Sequence, residues 1–146
     1  MRELPRQLTV DELAELFEGP TVLVERLAAV EDPLRRASDV VERLTDDEKL
    51  EALNAHPAIG QRSGLSARSA AEQGTDDDPE VLDELTRLNG EYERRFGFRF
   101  VVFVNGRPRR EILPVIRDRL ERTCYEELET ALSELVAIAA DRWRRG

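Results

Sequence analysis

One run, Phe96-Gly97-Phe98-Arg99-Phe100-Val101-Val102-Phe103-Val104, breaks the helical rhythm that governs the rest of the chain. It is aromatic and β-branched, so it reads as extended, and Asn105-Gly106 after it is a turn signal. No second run of that character is available to pair with it. A sheet is therefore excluded, and the extended piece must lie among helices that bury its side chains. The expected architecture is an all-α, single-domain helical bundle covering residues 1–146. It should have about seven or eight helices and one short extended segment near residues 98–104.

The helices announce themselves by their ends. Thr9-Val10-Asp11-Glu12 is a capping box, followed by Leu13, Leu16 and Phe17 at helical spacing. Gly19-Pro20 stops that helix, and Pro20 is expected to open the next, with Val24, Leu27 and Ala28 on one face. Asp32-Pro33 resets the chain before a stripe of Leu34, Ala37, Val40, Val41 and Leu44. Thr45-Asp46-Asp47-Glu48 is a second capping box, opening a helix with Leu50 and Leu53 inward. That helix must end near His56, because a residue before proline is pushed out of the α region. Ser69-Ala70-Ala71-Glu72 repeats the spacing beyond a polar loop, and Asp76-Asp77-Asp78 caps a helix from about Pro79 to Arg95. The segment from Arg109 to Arg122 is helical by pattern, but Pro114 within it either delays the start or bends the helix. A last helix runs from about Tyr125 to Arg142.

Composition narrows the function. The formal net charge is −9 and no long Lys/Arg run exists, which speaks against nucleic acid as a partner. The single cysteine, Cys124, permits no intrachain disulfide, which suits a reducing, cytoplasmic setting. The first residues lack the apolar core of a signal peptide, and no run is long and apolar enough to span a membrane. There is no metal-ligand spacing, no P-loop, no dinucleotide fingerprint and no nucleophile elbow. No metal site is expected, and the acidic balance does not exclude an anionic small-molecule substrate, provided the site supplies local positive charge.

Four features remain. His56 is the only histidine, in Ala55-His56-Pro57-Ala58-Ile59-Gly60, and it follows a helix C-terminus. It reads equally as a helix cap or as a group that titrates near neutrality. The helix end favours its imidazolium by about 0.3–1 kcal/mol when exposed. Glu72-Gln73 reads as the end of a capping box or as a polar pair for a ligand. The extended run reads as core, with backbone groups left over for a ligand. Arg142 reads as a solvated helix end or as an anion-binding fork.

Together these features form Ala55-His56-Pro57-x-Ile59-Gly60, Ser69-x-x-Glu72-Gln73, Leu88-Asn89-x-x-Tyr92-x-x-Arg95-Phe96-Gly97-Phe98-x-Phe100-Val101 and Ile138-Ala139-x-x-Arg142. In that order they resemble the 2-oxo-4-hydroxy-4-carboxy-5-ureidoimidazoline (OHCU) decarboxylases of urate catabolism. The resemblance implies an all-α fold, no cofactor, a homodimer, and production of (S)-allantoin and carbon dioxide. It implies catalytic roles for His56 and Glu72. It also implies that Pro57, Gln73, Phe100, Val101 and Arg142 bind substrate, the extended segment through its backbone. Two departures are visible. Arg99 stands where the family often has proline or an apolar residue, and the proline-aromatic pairs common in the family's N-terminal third are missing. The competing readings are a decarboxylase of a related ureido carboxylate, and a non-enzymatic acidic helical module whose segment 96–104 accepts a partner strand.

Overall fold

The computed structural model describes residues 3–57 and 78–146. Among these residues there are seven helices and no strand: α1 Val10–Phe17, α2 Val22–Ala28, α3 Pro33–Glu42, α4 Asp46–Asn54, α5 Pro79–Phe96, α6 Arg109–Leu120 and α7 Cys124–Arg145. Both threonine capping boxes form with reciprocal hydrogen bonds, at Thr9 and at Thr45. These signals are legible because each is complete within four residues. The Ser69–Glu72 box lies outside the described residues.

The chain divides into two compact units, residues 1–56 with 132–146, and residues 57–131. In the first, α2 packs against α1, α3 and α4. Leu23, Val24 and Leu27 of α2 are wholly buried, as are Leu13 of α1, Ala37 of α3 and Leu53 of α4. Each such leucine stabilises the fold by about 1.5–3 kcal/mol through the apolar surface it withdraws from water. Pro20 does not begin α2. Thr21 is the N-cap, its hydroxyl accepting from the Val24 N–H at 3.4 Å, and Pro20 precedes it. A hydroxyl that satisfies an otherwise unbonded helix donor outcompetes proline's mere compatibility with a first turn.

In the second unit α5 packs against α6. Asp78 caps α5 through the Glu80 N–H at 3.0 Å, and Gly97 ends it at φ 82°, a left-handed conformation cheap for glycine. The chain then runs without regular structure from Phe98 to Val104 and turns at Asn105-Gly106. Phe98, Phe100, Val101, Val102 and Val104 are buried. The lone extended piece packed among helices is thus present. The helix α6 starts at Arg109 despite Pro114, so a delayed start is excluded. The last helix is longer than its pattern, and its residues 124–131 belong to the second unit while 132–145 belong to the first.

Candidate active site

The position of His56 is set by the two ends of α4. At the start, Thr45 Oγ1 accepts from the Glu48 N–H at 3.2 Å and Glu48 Oε1 accepts from the Thr45 N–H at 2.9 Å. That second bond, with Arg26 3.2 Å away, holds the Glu48 carboxyl below its ordinary range. At the far end Pro57 forbids another turn, and the His56 N–H closes on the Leu53 carbonyl at 3.2 Å. The imidazole is 5% exposed. His56 is therefore a helix-terminal residue, as its spacing requires, and a buried one, which a solvated cap is not.

Arg142 is not a solvated helix end. It is 2% exposed and its guanidinium reaches the C-terminus of α1. Nη1 donates to the Leu16 carbonyl at 3.0 Å, and Nη2 pairs with Glu18 Oε1 at 3.0 Å. The last turn of α1 carries no basic residue of its own, so Arg142 supplies the positive charge that its dipole lacks. Glu18 caps α1 at φ 65°, a left-handed conformation that disfavours any residue with a β-carbon. Gly19 follows, and a methyl group placed on it would lie 3.9 Å from the Ala55 Cβ. The end of α1 thus rests against the residue preceding His56. The neighbouring start of α2 is tied to α4 as well, because the Val22 N–H donates to Glu51 Oε1 at 2.8 Å. The first unit therefore brings His56 and Arg142 to one corner, where the C-termini of α1 and α4 meet.

Phe100 and Val101 lie in the second unit, both buried. The carbonyls of their segment are served by arginine side chains instead of a partner strand. Arg119 Nη1 donates to the Val101 carbonyl at 2.7 Å. Arg107 donates to the carbonyls of Val104 at 2.9 Å and Phe103 at 2.7 Å. Arg119 is itself held, since its Nε donates to Glu127 Oε1 at 2.7 Å and its guanidinium carbon lies 4.5 Å from the centre of the Phe100 ring. The same Glu127 oxygen accepts from the Tyr92 hydroxyl at 2.6 Å. Burial first, then this bond to a carboxylate, pushes the Tyr92 hydroxyl well above its ordinary pKa. Three carbonyls of the segment are thus held by arginine side chains.

Pattern reading missed Arg119, Glu127 and Glu18. A signal exists for two of them. Glu127 lies in register with the buried stripe Ala131, Leu135, Ile138 and Arg142, and Arg119 with Ile112 and Ile116. A charged side chain in step with an apolar stripe is buried by helical geometry and needs a partner. For Glu18 there is none, because its role depends on a residue of the last helix. Glu72 and Gln73, with Ala58 to Gly60, lie outside the described residues. Pro57 is half-buried. Arg99, the main departure from the expected pattern, is 3.8 Å from Glu93 of α5 and partly exposed.

Comparisons with known proteins agree on one family. The family model described as OHCU decarboxylase matches residues 2–144. The 2-oxo-4-hydroxy-4-carboxy-5-ureidoimidazoline decarboxylase of Haloferax volcanii is 32% identical over 144 residues, covering 89% of this chain and 83% of that protein. The uric acid degradation bifunctional protein PucL of Bacillus subtilis is 28% identical over 97% of this chain, which spans only 31% of PucL. The chain likewise spans 28% of the uric acid degradation bifunctional protein of another Bacillus. A crystal structure of OHCU decarboxylase in the presence of (S)-allantoin superposes with a TM-score of 0.74 at 25% identity, covering 90% of this chain and 94% of that one. The all-helical fold, the family match along nearly the whole chain and the haloarchaeal relative concur, and the chain belongs to the OHCU decarboxylase family.

Proposed function

We propose that this chain decarboxylates OHCU to (S)-allantoin in urate degradation, as one catalytic domain, without a cofactor. The observation that carries the reading is the burial of His56 and Arg142 at one corner of the first unit. An imidazole and a guanidinium withdrawn from water are expensive, and such groups are kept mainly where chemistry needs them.

The reaction breaks the bond between a ring carbon and its carboxylate. Carbon dioxide leaves, and the electron pair passes into the ring as an enolate on the former hydroxyl oxygen, until one face of the neighbouring ureido carbon takes a proton and that oxygen becomes the carbonyl of allantoin. No electron sink beyond the substrate is required. The protein must grip the anion, stabilise the growing charge on the ring oxygen and govern one proton. In this reading Arg142 presents its forked donors to an anionic or carbonyl group of the substrate. His56, fixed by Pro57, acts on the hydroxyl and carboxylate and helps trigger loss of carbon dioxide. Glu72 orients the ureido or ring nitrogens, and Gln73 adds a polar contact. Backbone amides of Phe100 and Val101 serve the developing oxyanion, the largest single electrostatic effect available to such a site. The same reading makes the protein a homodimer of the cytoplasm, with no nucleic-acid or membrane partner.

The test uses freshly generated OHCU and follows allantoin by circular dichroism. Spontaneous decay gives racemic product, so a catalysed excess of the (S) form is the readout. His56→Asn is expected to lower kcat by about 10²–10⁴-fold, the usual contribution of an acid–base group. Turnover near that of the unaltered protein would remove His56 from the chemistry.

A further inference from the structure

Glu127 is wholly buried and Arg119 is 4% exposed, yet neither is needed to fill space. Well-packed apolar side chains of similar volume serve stability as well as a buried ion pair does, and often better. What apolar side chains cannot do is donate to a carbonyl. No strand lies among the described residues, and the Val101 carbonyl takes its donor from a side chain, Arg119.

The donor is constrained at every joint. Arg119 projects from α6, where Ile112 and Ile116 on the same face are wholly buried. Its Nε is bound to Glu127 at 2.7 Å, and its guanidinium lies over the Phe100 ring at 4.5 Å. Glu127, in the first turns of α7, is bound in turn by the Tyr92 hydroxyl of α5 at 2.6 Å. The Tyr92 ring makes edge contacts with Phe98 and Phe100, at centroid distances of 5.8 and 5.2 Å. Three helices therefore converge on one peptide carbonyl and on the Phe98 and Phe100 rings that precede it.

We propose that Arg119 is a positioning residue for the decarboxylation: locked by Glu127 and Tyr92, it fixes the Val101–Val102 peptide through the Val101 carbonyl and the Phe100 side chain through its ring, and so holds the backbone between them toward the reacting substrate. The inference rests on the reading that this backbone serves the oxyanion. Lysine at 119 keeps the charge but loses the planar fork that binds Glu127 and Val101 together. The expected result for Arg119→Lys is a fall in kcat of about 10–100-fold, the penalty for donors displaced by roughly an ångström. KM should stay within about threefold, because the loss falls on the transition state and not on ground-state binding. Tyr92→Phe removes one hydroxyl and leaves the ion pair, so its kcat should fall less, by about 3–10-fold on the same scale. In Arg119→Ala, millimolar guanidinium ion should restore part of the lost kcat, which a purely structural role would not allow.

The same circular-dichroism assay reads all of these, with near-ultraviolet spectra confirming the fold. An unchanged kcat in folded Arg119→Lys overturns the proposal, as does a loss confined to KM. If Arg119→Lys does not fold, an unchanged kcat in Tyr92→Phe overturns it. An unaltered protein that forms no excess of (S)-allantoin would refute the decarboxylase reading itself, whereas an active one with an indifferent Arg119→Lys refutes only this inference.

Discussion

Arg142 and Arg119 are both buried guanidinium groups, each paired with one carboxylate, Glu18 at 3.0 Å and Glu127 at 2.7 Å. Removing one member of such a pair leaves the other's buried charge less well compensated. Glu18→Ala should therefore destabilise the protein by about 3–5 kcal/mol. Glu18→Gln, which keeps an acceptor, should cost less. Denaturant melts of the two variants check the order; equal and small losses would mean that Arg142 is held in place without Glu18. Neither pairing was legible beforehand, although both arginines stand in plain view in the sequence. A guanidinium's partner is chosen by how helices pack, and the helical period reports only which face it occupies. The pattern did place His56 at a helix end, because a proline and a capping box bracket it within a dozen residues.

Among the elements, α4 carries the clearest link from local sequence to the site. Its start is the Thr45 box and its end is His56, so weakening the first loosens the second. Thr45→Ala should lower stability by about 1 kcal/mol, read as a drop of a few degrees in Tm by circular dichroism. An unchanged Tm would mean that packing against α2 alone holds α4. Local signals of this kind made four helix starts readable to within a residue or two, at Thr9, Asp32, Thr45 and Asp78. They failed at Pro20, where Thr21 holds the cap, since proline is compatible with a helix start but does not cap one. The segment 98–104 was readable as extended, but the arginines that satisfy its carbonyls come from α6 and from the turn after it, and no local rule points to them.

At the scale of the whole molecule, the resemblance carried by four short motifs agrees with a family match along residues 2–144, across both units. No single motif is decisive, and their order along the chain carries the resemblance; two of them, at His56-Pro57 and at Phe96-Gly97, also coincide with helix ends. The proposed homodimer belongs to this scale too. Light scattering on the purified chain should give twice the 16.7 kDa mass of one copy; a single-copy mass at assay concentration would discard it.

The reach of Arg142 has a consequence for how the protein is made. Its bond to Leu16 joins residues 126 positions apart, and the neighbouring Trp143 indole donates to the Glu3 carbonyl across 140. During synthesis the first four helices emerge early, at a pace of roughly 5–20 residues per second. They wait without the guanidinium that completes α1, since it lies in the last turns of the last helix. The corner holding His56 is therefore completed only after the helix Cys124–Arg145 has been made.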